Sequence, residues 1–308
     1  MPLPAEFHEI AKRVNNWGRW GERDEIGTLN LITDTVVREA AATVLTGRRV
    51  ALAVPLRQRG IQTGLIPGRV NPLHTMTSVN REEFAPGSVA TSDDTVTMGL
   101  QAGTHWDALP HVSHGGRIYN GRPADSITAH ARAVFSGIEK ARHVVSRGVL
   151  LDVARARGLD RLVPGHAVTP DDLEAAEDMG AVSVGPGDVV VVRTGHMQRY
   201  LAGERRAYGS ASPGLSVRTP EWFHTRDVAA VANDTLCFEV FPPEIDGLWL
   251  PVHALHLVEM GMMQGQNWNL EELSVACAEE RRYAFLLTAT PEPFEGAVGA
   301  PVAPVAVL

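Results

Sequence analysis

The sequence predicts a mixed α/β fold. Three observations carry that prediction: β-branched runs of strand length, helical stretches with start signals, and their alternation with no internal repeat or low-complexity linker. Residues 34–45 (DTVVREAAATVL) set apolar side chains at helical spacing behind Asp34, a residue type suited to capping. Residues 50–54 (VALAV) predict a short strand ended by Pro55. Residues 95–101 (TVTMGLQ) have strand character, and 148–153 (GVLLDV) read as a buried strand. Thr169 can cap a helix in which Pro170 takes the first position and Asp171 and Asp172 favour the positive dipole end; that helix should reach Met179. Gly187 and Asp188 introduce Val189 to Val192, a β-branched run that predicts a central strand. Val252 to Met263 and Asn269 to Ala278 predict two more helices, and the proline-rich tail from Pro291 to Leu308 an extended segment pinned to the body. Strand order is not readable from these signals.

Composition narrows the function class. With 308 residues, 44% hydrophobic and 21% charged, the chain can bury a sizeable core, and nothing forces a cut within residues 1–308, so one domain is expected. Its two cysteines, Cys237 and Cys277, are in no CxxC spacing, which argues against a disulfide framework or a thiolate zinc site and fits a reducing cytoplasm. A net charge of -8 without a basic run argues against nucleic acid. The acidic N-terminal stretch MPLPAEFHEI does not read as a signal peptide. No apolar run approaches the roughly 20 residues of a membrane span.

The stretch LQAGTHWDALPHVSHGG, residues 100–116, holds three of the 12 histidines. If the extended backbone of residues 95–101 continues to Asp107, then Gln101, Gly103, His105 and Asp107 share one face and Trp106 points away. An imidazole and a carboxylate two residues apart on one strand can reach one cation, and His111 can return to it after the Pro110 turn. The same spacing also suits a satisfied core histidine and a turn aspartate. A nucleophilic triad is the weaker reading, because no Ser or Cys sits in a nucleophile elbow.

The stretch resembles the H-x-G-T-H-x-D-x-x-x-H motif of the cyclase family of metal-dependent hydrolases, which includes bacterial kynurenine formamidase and isatin hydrolase. Gly103, Thr104, His105, Asp107 and His111 match, whereas Gln101 replaces the first histidine. The resemblance extends along most of the chain. Asn16 to Gly21 (NWGRWG) and Asp24 to Asn30 (DEIGTLN) are similar to the opening of the longer members. Gly187 to Gly195, Pro251 to His253, Gly265 to Trp268 and Gly296 to Pro304 follow in family order.

The resemblance implies a fold and a chemistry. The fold is a mixed β-sheet core with surrounding helices, of the swivelling β/α/β type. His105 and Asp107 would bind a divalent metal, with Gln101 in the first ligand position, His253 as the later histidine ligand and Gln266 where a glutamate is expected. With two ligands replaced by amides, one Mn2+ or Zn2+ ion is expected rather than two, and amide oxygens tilt the choice towards manganese. His111 suits proton transfer to and from water, and a ligand role stays open beside it. Trp17 and Trp20 are candidate walls of a substrate pocket, with plain core packing as the other reading. His114 reads as a loop bystander and His256 as a packing residue, while Asp152, Asp234 and Glu239 are candidates for orienting ligands without an assigned place.

The expected activity is hydrolysis of an amide, lactam, lactone or ester of a small molecule by metal-activated water. A degenerate, non-hydrolytic small-molecule binder and a polyketide-type cyclase or dehydratase are the alternatives. The expected partner is a small-molecule substrate, with no nucleic acid or membrane, and a homodimer or homotetramer is implied by resemblance only.

Overall fold

The β-branched run Val189–Arg193 forms the fifth of nine strands in the main sheet, so the predicted central strand is central. The computed structural model describes residues 4–82, 84–130, 132–245 and 247–308. In chain order its principal strands are β1 (Arg49–Ala51), β2 (Leu73–Glu82), β3 (Ala90–Thr97), β4 (His105–Asp107), β5 (Val145–Asp152), β6 (Val189–Arg193), β7 (Ala230–Asn233), β8 (Met263–Gln266), β9 (Ala284–Thr288), β10 (Gly299–Pro301) and β11 (Val305–Val307). The sheet order is β1-β11-β9-β5-β6-β7-β8-β4-β10. Strands β5 to β8 are parallel, and antiparallel strands extend the sheet at both sides.

Burial on both faces explains the sequence of the parallel centre. Val190, Val192, Val149, Leu151 and Val231 enter one apolar core. Val189, Val191, Leu150, Ala230 and Ala232 enter the other. A strand buried on both faces needs an unbroken apolar run, not an alternating one. Each fully buried valine or leucine contributes roughly 1.5–3 kcal/mol relative to exposure.

The helices agree with their start signals more closely than with their predicted ends. They include α1 (Ala5–Val14), α2 (Asp34–Ala41), α3 (Pro170–Gly180), α4 (Thr219–Thr225), α5 (Pro251–His253, continuing as a π-helix over Ala254–Met260) and α6 (Glu271–Glu280). In α2 the cap is Thr33, whose hydroxyl accepts from the Val36 amide, while Asp34 takes the first helical position. The helix stops at Ala41 rather than Leu45; Leu45 is exposed, so no packing supports a further turn. In α3, Thr169 caps as expected, and Asp172, expected only to favour the dipole, completes a reciprocal capping box with it. Helix α5 ends at Gly261, at φ 65°, where a Cβ would lie 2.3 Å from the Tyr119 ring.

The chain departs from expectation just before the histidine-rich stretch. Strand β3 ends at Thr97, and turns occupy residues 98–104, so the extended backbone assumed from 95 to 107 is interrupted. The turn closes through the Ala102 amide on the Gly99 carbonyl. Among the described residues, strands β2 and β3 pair only with each other and form a solvent-exposed ribbon. The proline-rich tail is extended and pinned as predicted, entering the sheet as β10 and β11.

The α3 cap gives a stability test. Asp172 also pairs with Arg157 at 2.6 Å. Burial pushes the Asp172 carboxyl up, but hydrogen bonds from Thr169 and Arg157 outweigh it and hold the carboxyl below its ordinary value. Asp172→Ala should therefore cost about 1–2 kcal/mol near neutral pH in urea unfolding. Because the folded value lies below the unfolded one, the stabilisation is complete above the ordinary carboxylate range and lost as pH falls through the folded value. The difference between wild type and variant should shrink in acid; a difference independent of pH would contradict this account.

Candidate active site

Strand β4 lies between β8 and β10, and its register places the polar side chains. His105 pairs with Gln266, Trp106 with Gly265, and Asp107 with both Gln264 and Gly299. Cross-strand partners share a face. His105, Asp107, Gln264 and Gln266 thus project to one side. Trp106 projects to the other, where it meets Trp268 edge-to-face at 5.0 Å and donates to the Ala289 carbonyl. The predicted alternation of His105, Trp106 and Asp107 holds, although it begins at His105 and not at Gln101.

Four side chains converge on the fully buried carboxylate of Asp107. His105 Nε2 lies 3.4 Å from Oδ1, and His111 Nε2 lies 3.6 Å from the same oxygen. His253 Nε2 lies 3.7 Å from Oδ2, and Gln266 Nε2 donates to Oδ2 at 2.5 Å. His105 donates from Nδ1 to the Gly103 carbonyl, which leaves Nε2 as a bare electron-pair donor. Both His105 Nε2 and Asp107 Oδ1 are buried without a hydrogen-bond partner.

His253 stands at the start of α5, with Nδ1 against the Glu239 carboxylate and its backbone amide 3.4 Å from Glu239 Oε1. Phe238, at φ 56°, occupies a backbone region rare for a bulky residue, immediately before this carboxylate. His111 ends a 3-10 turn over Leu109–His111, and Arg69 Nη2 lies 3.3 Å from its Nε2.

The two mobile-proton histidines are tuned apart. Burial lowers the His111 pKa, and the charges of His253, Arg69 and His105 lower it further against the pull of Asp107. Burial would also lower His253, but Glu239, and then Asp107, outweigh it and raise His253 above the ordinary value. Burial alone would raise Asp107; the surrounding histidines outweigh it and hold the carboxylate far below the usual range. His111 is thus suited to accept a proton and His253 to give one. Burial pushes the Cys237 thiol up to about 12, which disfavours its thiolate.

Two buried donors of the cluster are left without partners. The unpartnered His105 Nε2 and Asp107 Oδ1 face each other at 3.4 Å, close to the ligand–ligand separation of about 3.4 Å expected around a tetrahedral ion. Among the described residues, no group of three or more His, Cys, Asp or Glu side chains forms a ready-made metal cage. Gln266 presents its amide nitrogen, not its oxygen, to Asp107. Gln101 lies beside the cluster over β10, where a Cβ on Gly299 would meet its Nε2 at 2.7 Å. That nitrogen is buried and has no partner.

The remaining candidates lie elsewhere. Trp17 donates to the Val258 carbonyl, and Trp20 lies under the Arg19 guanidinium; neither is brought to the Asp107 cluster among the described contacts. His114 contacts Glu259, and His256 is a buried neutral ring whose pKa burial pushes down to about 3. Asp152 pairs with Arg193, and Asp234 accepts from Thr194 and Gly195, so of the three unplaced acids only Glu239 enters the site. Arg69 carried no sequence signal: it sits in a loop, PGRVNP, without periodicity or motif.

Comparison with known proteins gives a consistent picture. A family model described as putative cyclase matches residues 16–240. A solved structure described as a novel cyclase is 35% identical, covers 96% of this chain and 100% of its own, and superposes with a TM-score of 0.88. Isatin hydrolase A from Ralstonia solanacearum is 23% identical over 89% of this chain and 97% of its own, with a TM-score of 0.62. A predicted metal-dependent hydrolase from Bacillus stearothermophilus is 16% identical over 84% and 97%, with a TM-score of 0.53. The last two likenesses are of fold. Curated proteins returned no match.

The Glu239–His253 pair yields a directional test in metal-free protein. Its raised folded-state pKa means that the pair stabilises the fold fully below the unfolded histidine value, about 6.5, and loses this as pH rises through the folded value. Glu239→Gln should therefore lower the His253 pKa in an NMR titration and destabilise the protein more at pH 6 than at pH 9. An unchanged His253 titration would refute the assignment.

Proposed function

The chain belongs to the cyclase family, and on that premise we propose that it is a metal-dependent hydrolase of small-molecule amides, lactams, lactones or esters. The observation that carries this reading is the pair of buried, unpartnered donors, His105 Nε2 and Asp107 Oδ1, set between two histidines of opposite tuning. Isatin hydrolases and predicted metal-dependent hydrolases among the structural neighbours support the reaction class.

His105 and Asp107 would hold the ion. Gln266 flanks them, and a half-turn of its amide presents an oxygen in place of its nitrogen; Gln101, packed against Gly299 of β10, is a further candidate ligand. A bound Mn2+ or Zn2+ would polarise the scissile carbonyl and lower the pKa of the attacking water. Neutral His111 removes a proton from that water as it adds to the carbonyl carbon. His253, whose proton affinity Glu239 raises, would give a proton to the departing nitrogen or oxygen as the bond to carbon breaks. On this reading His253 takes the acid role and His111 the base, whereas the family resemblance by itself implies a ligand role for His253.

A second reading is a non-hydrolytic small-molecule binder. The observation in its favour is that Gln266 presents its amide nitrogen, not its oxygen, to Asp107. No helix among the described residues is long and apolar enough to cross a membrane. A cytoplasmic setting is part of the proposal, resting on the free thiols of Cys237 and Cys277. So is a homo-oligomer, supported by the β2–β3 ribbon, since an isolated two-stranded hairpin is marginally stable in water.

The metal-loaded protein should hydrolyse members of a panel of aryl esters and lactams, assayed by product mass. His111→Asn should lower kcat by roughly 10²–10⁴-fold. Chelation and Asp107→Ala should each abolish turnover; activity that survives both would sink the hydrolase reading. No turnover by any panel member, together with retained ligand binding, would favour the binder. Light scattering of the full chain should give a dimer or tetramer, and a monomer at assay concentration would overturn the oligomer.

A further inference from the structure

Among the described residues, Arg69 is a cation beside His111 without a carboxylate partner. Its Nη2 lies 3.3 Å from His111 Nε2, and it forms no ion pair among the described residues. Most other arginines near buried acids in this protein are matched, as Arg193 is with Asp152 and Glu271 and Arg147 is with Asp188. Arg69 is half-buried, so its charge is only partly solvated.

The backbone presents this side chain from a pinned loop. The Arg69 amide donates to the Ile66 carbonyl, and the Gly99 amide donates to the Val70 carbonyl. Asn71 clasps Gln62 in both directions, with its Nδ2 donating to the Gln62 carbonyl and its Oδ1 accepting from the Gln62 amide. Gln62 in turn donates to the Ala102 carbonyl, next to the turn that leads into β4. A guanidinium has five N–H donors, so one contact with His111 leaves an edge free for bidentate pairing.

The surroundings narrow the ligand further. The cleft lined by Cys237, Glu239, Phe241, Trp249, Leu250 and Pro251 reaches the cluster through Glu239, which holds His253; the His253 ring lies 6.5 Å from that of His111, the residue Arg69 touches. The Phe241 and Trp249 rings lie 5.9 Å apart there, and Trp249 is largely exposed. A cationic fork beside the base and an aromatic wall beyond it match a planar molecule with an anionic end.

We propose that Arg69 is a positioning residue for a carboxylate on the substrate or on the ring-opened product, and that the site prefers carboxylate-bearing aromatic molecules over their neutral isosteres. This rests on the hydrolase reading only for the word substrate; the anion preference is a binding property of Arg69 itself. A carboxylate paired with Arg69 would hold the reacting carbonyl beside His111, and Arg69 would offer countercharge to the acid released by hydrolysis of a lactam, lactone or ester.

The test uses benzoate and benzamide, isosteres that differ in charge, titrated calorimetrically into metal-free and metal-loaded full-length protein. Benzoate should bind at least about tenfold more tightly than benzamide in both forms. Arg69→Met should abolish that preference with an unchanged unfolding midpoint, while Arg69→Lys, which keeps the charge but not the fork, should retain part of it. Equal binding of the two probes, undetectable benzoate binding, or a preference unchanged in Arg69→Met would overturn the proposal. So would a preference confined to the metal-loaded form, which would place the carboxylate on the ion. The two readings fail separately: benzoate selectivity without hydrolysis of any ester defeats only the hydrolase, and hydrolysis without selectivity defeats only the anion site.

Discussion

The site depends on one buried charge. Asp107 has no exposed surface, and burying a carboxylate costs several kcal/mol unless nearby donors and cations offset it. The offset is drawn from four separate segments: β4 itself, the Leu109–His111 turn, the first turn of α5, and β8. None of these neighbours would lie near the others without the sheet. Loss of any one leaves Asp107 less compensated, so the antiparallel extension β8-β4-β10 and the start of α5 are tied together electrostatically as well as by packing.

That charge also divides labour among residues of the same type. His105 turns one nitrogen to the Gly103 carbonyl and keeps the other bare. His253 is raised by Glu239, and His111 is lowered by burial and by neighbouring positive charge. Three imidazoles thus differ in the nitrogen they leave bare and in the direction of their pKa shift through burial and through the groups beside them. The π-helical turn that follows His253 and the left-handed Phe238 before Glu239 are irregularities of the kind that aim side chains at functional sites.

Much of the fold was legible in the sequence because burial leaves a local signature. The Val189–Val192 run could only be buried on both faces, and Thr169 with Asp172 could only begin a helix. The tail was legible as extended because its prolines exclude helix, and it fills two strands. The continuous strand from Thr95 to Asp107 was misjudged, because period-two alternation persists through a sequence whose glycines permit turns at residues 98–104. Asp34 and Thr33 were confused as caps because both residue types accept the same hydrogen bond.

The sequence by itself determined which residue types are available for chemistry: a His-x-Asp pair on one strand face, a second histidine past a proline turn, and amides at Gln101 and Gln266, where the family resemblance implies a histidine and a glutamate. It did so because strand alternation and turn chemistry act over a few residues. Only the tertiary structure decided which of those atoms meet. It brought His253 and Gln266 to Asp107 across about 150 residues of chain, selected Glu239 from three equivalent acids, and set Arg69 beside His111. Such contacts follow from strand register and loop closure, which depend on the whole sheet and leave no mark in the spacing of the residues they join.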